Sequence, residues 1–206
     1  MTFHQKDAKE TYRVPKNSET KKILNEISNE KLVFHRENNY NDFDFEGLIS
    51  KKISQEGPAM ALGDINGDGN EDVFIGGAKN QPGTIYIHQG NGALKVSKQN
   101  ALELDFIFED TAASFFDADA DGDLDLMVGS GGNQVKEEKN YKIRLYLNDG
   151  KGVFTKSDET ISSSFKNISV ISPHDFDSDG DIDVFVGSRS VVGAYGLDPK
   201  HLFLDF

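Results

Sequence analysis

Three copies of one short acidic stretch constrain what this chain can fold into. They read Asp64-Ile-Asn66-Gly-Asp68-Gly69-Asn70-Glu-Asp72, Asp117-Ala-Asp119-Ala-Asp121-Gly122-Asp123-Leu-Asp125 and Asp175-Phe-Asp177-Ser-Asp179-Gly180-Asp181-Ile-Asp183. Numbered from the first Asp, oxygen-bearing side chains recur at positions 1, 3 and 5, Gly stands at position 6, and Asp closes each copy at position 9. Alternate positions turn three side chains inward, and Gly at position 6 permits the backbone reversal that brings the chain back. Position 7 (Asn70, Asp123, Asp181) offers a carbonyl, and the Asp at position 9 completes the shell. Calcium takes about six to eight oxygen ligands, and a loop of this kind can supply them. Carboxylates packed this closely repel one another without a cation, so the empty loops are expected to be poorly ordered. About one calcium per loop is expected, three in all, with magnesium the weaker fit because it wants a near-ideal octahedron with retained waters. The first loop has Asn66 where the others carry Asp, so the weakest affinity is expected there.

The second half of each stretch excludes a helical calcium module. An EF-hand needs Glu at position 12 and flanking helices. Position 12 is Ile75, Val128 or Val186, within the runs Val73-Phe-Ile, Leu126-Met-Val and Val184-Phe-Val. Such runs, ending in Gly, read as buried strands. A dockerin-like helix pair fails for the same reason.

The loops begin at residues 64, 117 and 175, so they are 53 and 58 residues apart. A second element recurs in phase: Ile85-Tyr-Ile-His-Gln-Gly-Asn-Gly matches Leu145-Tyr-Leu-Asn-Asp-Gly-Lys-Gly, and Leu202-Phe-Leu-Asp-Phe begins the same element. Each Gly-containing tip reads as a hairpin turn. The unit is therefore strand, acidic loop, strand, variable loop, strand, turn, strand, with fourth strands near Leu94–Ser97 and Val153–Lys156. Four antiparallel strands in roughly 50–60 residues make one β-propeller blade, and the fold class is all-β. Two nearly complete units, a third cut in its third strand, and a partial unit at Leu32–Phe45 fall short of the about four to eight blades that close a propeller. A partial propeller from a longer chain is expected. Residues 1–31 differ in composition, being rich in Lys, Glu, Asn and Thr. They read as an N-terminal extension or linker, with Ser18–Glu30 either one short helix or a tail. The repeats occupy 32–206.

The formal charge of −13 argues against nucleic acid or an anionic membrane surface as the main partner. The absence of cysteine excludes disulfides, thiolate metal sites and cysteine nucleophiles. No apolar run is long enough to span a membrane. The first residues are polar and lack a signal-peptide core, so either the protein is cytosolic or its signal has been removed. No nucleophile elbow, phosphate loop or zinc-protease motif occurs, and the five histidines are scattered. His35 reads as a packing or surface residue. The second-to-third-strand loops, Lys79–Gly83, Gly129–Lys142 and Gly187–Lys200, vary most, and binding specificity on a rigid scaffold resides in such loops. Arg189, Tyr195 and Tyr141 are the candidate contacts.

The loops and following strands resemble FG-GAP and VCBS-type repeats, the blades of the integrin α-subunit propeller and of many secreted bacterial proteins. Phe74-Ile-Gly-Gly-Ala is similar to the phenylalanine-glycine half of the motif. The Gly-Ala-Pro half is poorly kept, with Gln81-Pro-Gly and Gly193-Ala-Tyr in comparable places. Phe34-His-Arg-Glu-Asn-Asn-Tyr-Asn-Asp-Phe, followed by Gly57-Pro-Ala, resembles the cartilage-acidic-protein-like group. The resemblance implies an exported, cell-surface protein with structural calcium and no catalytic residues. The expected function is a calcium-binding adhesion scaffold for a protein or glycan ligand. The alternatives are part of a propeller-type polysaccharide lyase or hydrolase, or a subunit of a surface assembly.

Overall fold

The computed structural model describes residues 32–134, 141–158, 161 and 166–206. The expected helix at Ser18–Glu30 lies outside the described residues. Among the described residues, eleven strands form three antiparallel sheets. The first sheet runs β1 (Met60–Gly63), β2 (Asp72–Ile75), β3 (Thr84–His88) and β4 (Leu94–Ser97) in that order. The second runs β5 (Asp110–Phe116), β6 (Asp125–Ser130), β7 (Ile143–Asn148) and β8 (Phe154–Lys156). The third holds β9 (Lys166–His174), β10 (Asp183–Val191) and β11 (Leu202–Leu204). A five-residue helix, α1 (Asn100–Leu104), connects the first sheet to the second. Each sheet is a meander of neighbouring strands, and β5 packs between β1 and β9. The first strands of successive sheets thus stand side by side, which is the arrangement of blades in a partial propeller.

The period-2 alternation of β6 explains how the blades stack. Leu126 and Val128 enter a core with Ala61, Phe74, Ile85 and Tyr146 between the first and second sheets. Met127 faces the other way, into a core with Ile168, Ile171, Val184 and Val186 between the second and third. A strand covered on both faces has no polar side to present, hence the unbroken apolar run that the sequence shows. Gly129 ends that run because any Cβ there would collide with Ile168 of the next sheet.

A buried polar junction also joins the first two sheets. The Asp110 backbone amide donates to the Gly77 carbonyl (2.9 Å) and its carbonyl accepts from Ala59 N–H (3.1 Å). Asp110 Oδ2 accepts from Gly77 N–H at 2.9 Å, while Oδ1 pairs with Arg144 Nη2. Arg144 also donates to the Tyr146 hydroxyl (3.1 Å) and lies 4.5 Å from the centroid of the Phe108 ring. Tyr146 in turn donates to Asp105 Oδ2 at 2.6 Å.

The structure corrects two expectations and adds a register shift. Leu32–Phe45 is not a partial blade, because its described residues form no strand and only a 3-10 turn at Asp42–Asp44. Its Asn and Asp side chains bond locally instead, Asn38 Oδ1 accepting from Tyr40 N–H and Asn41 Nδ2 donating to Asp44 Oδ1, which competes with strand pairing. Second, β10 runs on to Val191, so Gly187–Val191 is strand and not loop. It stays paired to β9 through two register shifts. The register of β11 also departs from that of the corresponding strands β3 and β7. Tyr86 faces Val73 and Tyr146 faces Leu126, but Leu204 faces Val184. A one-residue slip exchanges the two faces of a strand. Phe203, which occupies the place of those tyrosines in sequence, is therefore exposed, and it packs on Phe176 at 5.0 Å between centroids.

Candidate metal centres

Each acidic stretch forms the connection between the first and second strand of its sheet. In the first loop, Asp64 Oδ1 accepts from Asp68 N–H (3.1 Å) and Oδ2 from Gly69 N–H (2.8 Å), while Asn66 Oδ1 also accepts from Asp68 N–H (3.0 Å). The second loop repeats this with Asp117, Asp119, Asp121 and Gly122 at 3.0–3.3 Å. In the third, Asp175 Oδ1 accepts from Ser178 N–H (2.6 Å) and Asp177 Oδ1 from Asp179 N–H (3.2 Å). The backbone thus curls around the carboxylates at positions 1 and 3. Gly69, Gly122 and Gly180 have φ of 83°, 95° and 107°, so position 6 has the left-handed geometry that its glycine implied.

Position 4 was not legible in the sequence. Gly67, Ala120 and Ser178 all adopt left-handed φ, at 71°, 60° and 68°. Only the first loop signals this with Gly. The other two hold a strained backbone at the tip, a cost of roughly 1–2 kcal/mol for a residue with a Cβ.

The carboxylates converge as the chemistry requires in two loops. Asp117, Asp119 and Asp125 each bring an oxygen within 4.8 Å of the others, as do Asp175, Asp177 and Asp183. These are positions 1, 3 and 9. Position 5 also braces the loop through Oδ1: there Asp68, Asp121 and Asp179 accept from the position-7 amides of Asn70, Asp123 and Asp181 at 2.9, 2.9 and 3.3 Å. The first loop, with Asn66, assembles no such carboxylate triad among the described residues. Three convergent carboxylates form a hard, oxygen-only donor set, which fits calcium or a similar divalent ion.

The closing Asp does more than complete a shell. Asp72, Asp125 and Asp183 are all buried. Asp125 Oδ2 accepts from Ala118 N–H at 2.9 Å in the loop, and Oδ1 from Asn148 N–H at 2.8 Å at the end of β7. Asp72 does the same with Ile65 (3.3 Å) and His88 (2.7 Å), and Asp183 accepts from Phe176 (3.0 Å). In the first two sheets position 9 is a latch between the acidic loop and the third strand. Asn148 extends the latch, donating to Ile65 O of the first loop and Leu124 O of the second at 2.8 and 3.1 Å.

The electrostatics follow from this crowding. Burial raises the Asp72 and Asp125 carboxyls above the usual range, and their backbone donors offset only part of it. Asp123 is raised by desolvation and then by Asp121 and Asp117, and Asp177 by desolvation and then by Asp179. Asp68 is lowered, chiefly by the Asn70 side-chain amide. Asp181, hydrogen-bonded to Asp179, is pushed up to about 6, while that contact holds Asp179 down. Asp181 also forms a further convergent set with Asp183 and Asp205. Asp205 was missed, although it occupies the place of His88 and Asn148 in the recurring element.

The variable-loop candidates fare differently. Tyr141 is buried. Arg189 pairs with Glu56, so its charge is engaged within the chain. Tyr195 stays half-exposed and lines an open groove of about 670 Å³ with Phe45, Leu48 and Leu197.

The FG-GAP-like repeat family model matches this chain twice, over residues 64–128 and 117–186. Both matches begin on the first Asp of a loop, and their overlap is the whole second loop with the start of β6. With the matches spanning well over half of the sequence, blades, loops and latches together place the chain in the FG-GAP-like repeat family.

Proposed function

We propose that this protein is a non-enzymatic, calcium-dependent scaffold at a cell surface or in the extracellular space, presenting its blades to a protein or glycan ligand. One observation carries the reading: the same carboxylate-lined loop recurs between the first two strands of each sheet, with its closing Asp buried and, in the first two sheets, bonded across the blade. Calcium in the second and third loops neutralises three converging carboxylates at once and, in the second, holds the loop against the strand that the latch already grips. The metal's role is structural. Asp64, Asn66, Asp68 and Asp72 hold the weakest of the three ions, because Asn66 supplies no charge. The ligand-facing surface includes the groove beside Tyr195, where exposed aromatic and apolar side chains suit a sugar ring or an apolar anchor.

Calorimetric calcium titration of chelator-stripped protein tests the proposal, with a melting curve at each step. About three ions bound, two tightly and one more weakly, with a rising melting temperature, supports it. Binding without any change in the melt would remove the structural role, and no binding would remove the metal.

A further inference from the structure

The third blade lacks half of the latch that the first two share. Asp183 is 2% exposed, as deeply buried as Asp72 and Asp125, and its Oδ2 accepts from the loop amide of Phe176 at 3.0 Å. In the first two blades the other oxygen accepts from the third strand, at His88 or Asn148. Among the described residues, Asp183 Oδ1 accepts from no donor. A bare oxygen on a buried carboxylate is costly, and it needs a physical account.

The register slip of β11 is the cause. Val184 faces Leu204, so one residue further on Asp205 stands opposite Asp183, where the first two blades carry Ile87 and Leu147. Like charges directly opposite one another on adjacent strands are destabilising. Asp205 is fixed from both sides, since Leu204 and Phe206 pack onto the core between the second and third sheets, and the Phe206 ring meets Phe116 edge-on at 5.7 Å. Asp181 enters from the acidic loop, and its Oδ1 is buried with no hydrogen-bond partner. Asp181, Asp183 and Asp205 each bring an oxygen within 4.8 Å of the others. Among the described residues, no Lys, Arg or His forms an ion pair with any of the three. His174, opposite Asp183 on β9, turns its ring onto Phe176 instead, at 5.2 Å between centroids. Oxygens bound to one calcium at about 2.3–2.6 Å lie at most about 5 Å apart, so these three fit around a single ion.

We propose that Asp181, Asp183 and Asp205 hold a divalent cation, calcium by their oxygen-only donors, which is distinct from the ion of the third loop and shares Asp183 with it. The site deepens the metal reading of that loop but has its own donors, because neither Asp175 nor Asp177 belongs to it. The ion bridges the loop and β11, and so takes the place of the backbone hydrogen bond that latches the other two blades. Docking of the third strand is calcium-dependent in this blade alone.

The test is calorimetric calcium titration of the chelator-stripped full chain and of three variants, with melting curves in chelator and in calcium. Asp205→Asn should bind one ion fewer than the parent. So should Asp181→Asn, whose backbone carbonyl stays available to the loop. Asp175→Asn should lose the loop ion and keep the ion that needs Asp205. In chelator, Asp205→Asn should melt no lower than the parent, because it removes a like-charge contact at an exposed position. In saturating calcium it should melt lower, since it forfeits the ion. A purely structural Asp205 would not reverse in this way. Hydrogen exchange over Leu202–Leu204 should slow on adding calcium to the parent and not to Asp205→Asn. Equal numbers of ions in the parent and Asp205→Asn would overturn the inference, whatever the loops bind. Loss of an ion in Asp181→Asn alone would assign Asp181 to the loop shell and overturn it too. Loss of an ion in Asp205→Asn with none lost in Asp175→Asn would uphold this site and remove the third loop's ion from the functional reading.

Discussion

Asp125 and Asp121 belong to the same loop, yet the structure gives them separable roles, and two substitutions distinguish them. Asp125 is 1% exposed and accepts the Ala118 and Asn148 amides. Asp125→Ala orphans both donors at about 1–3 kcal/mol each, and the burial cost of the carboxylate, returned on deletion, offsets part of the loss. The net loss should be about 3 kcal/mol, with or without metal. Asp121 is exposed and accepts only the Asp123 amide. Asp121→Ala should cost no more than about 0.5 kcal/mol in chelator, like other surface changes. In calcium it also forfeits the stabilisation by the bound ion, about 2.7 kcal/mol at a free concentration 100 times Kd. Urea unfolding followed by tyrosine fluorescence, in chelator and in calcium, measures all four values, since the chain has no tryptophan to obscure the signal. The slope with urea should not change. If the two variants lose the same stability in chelator, Asp125 is a metal ligand and nothing more, and the latch is refuted.

Ala120→Gly should stabilise the protein by about 0.5–1 kcal/mol, because relief of the left-handed strain exceeds the added chain entropy of Gly; chemical denaturation in chelator reads it. Arg144→Met should cost about 3–5 kcal/mol by leaving Asp110 buried without its counter-charge, and the double variant with Asp110→Asn should recover part of this in the same assay. The metal-free protein should also lose stability as pH rises. The Asp181 carboxyl sits at about 6, above its unfolded value, so its contribution is complete below about pH 4 and disappears as pH passes through 6. Melting temperature against pH in chelator should show this decline, Asp181→Asn should flatten it, and saturating calcium should oppose it.

The residues that determine the blades act over short distances, and for that reason the sequence alone was enough to read them. Loop positions 1, 3, 5, 6 and 9, the apolar run after each loop and the Gly-bearing hairpins are local patterns. β4 begins and ends where Leu94–Ser97 predicted, and β8 differs from its expected span by one residue. Other features became visible only in three dimensions, because each depends on a neighbour distant in sequence. Asp125 became a latch through Asn148, 23 residues on, and Asp110 a junction through Gly77 and Arg144, more than 30 residues to either side. Tyr141 was expected in a binding loop and is instead buried. The slipped register of β11 has the same origin, since the contact of Phe203 with Phe176 lies across the sheet. Local residue order decides which segments are strands and which loops collect carboxylates. Which polar groups are buried, and what each must then bond to, is decided when the blades pack, because desolvation depends on the whole surroundings of a group and not on its neighbours along the chain.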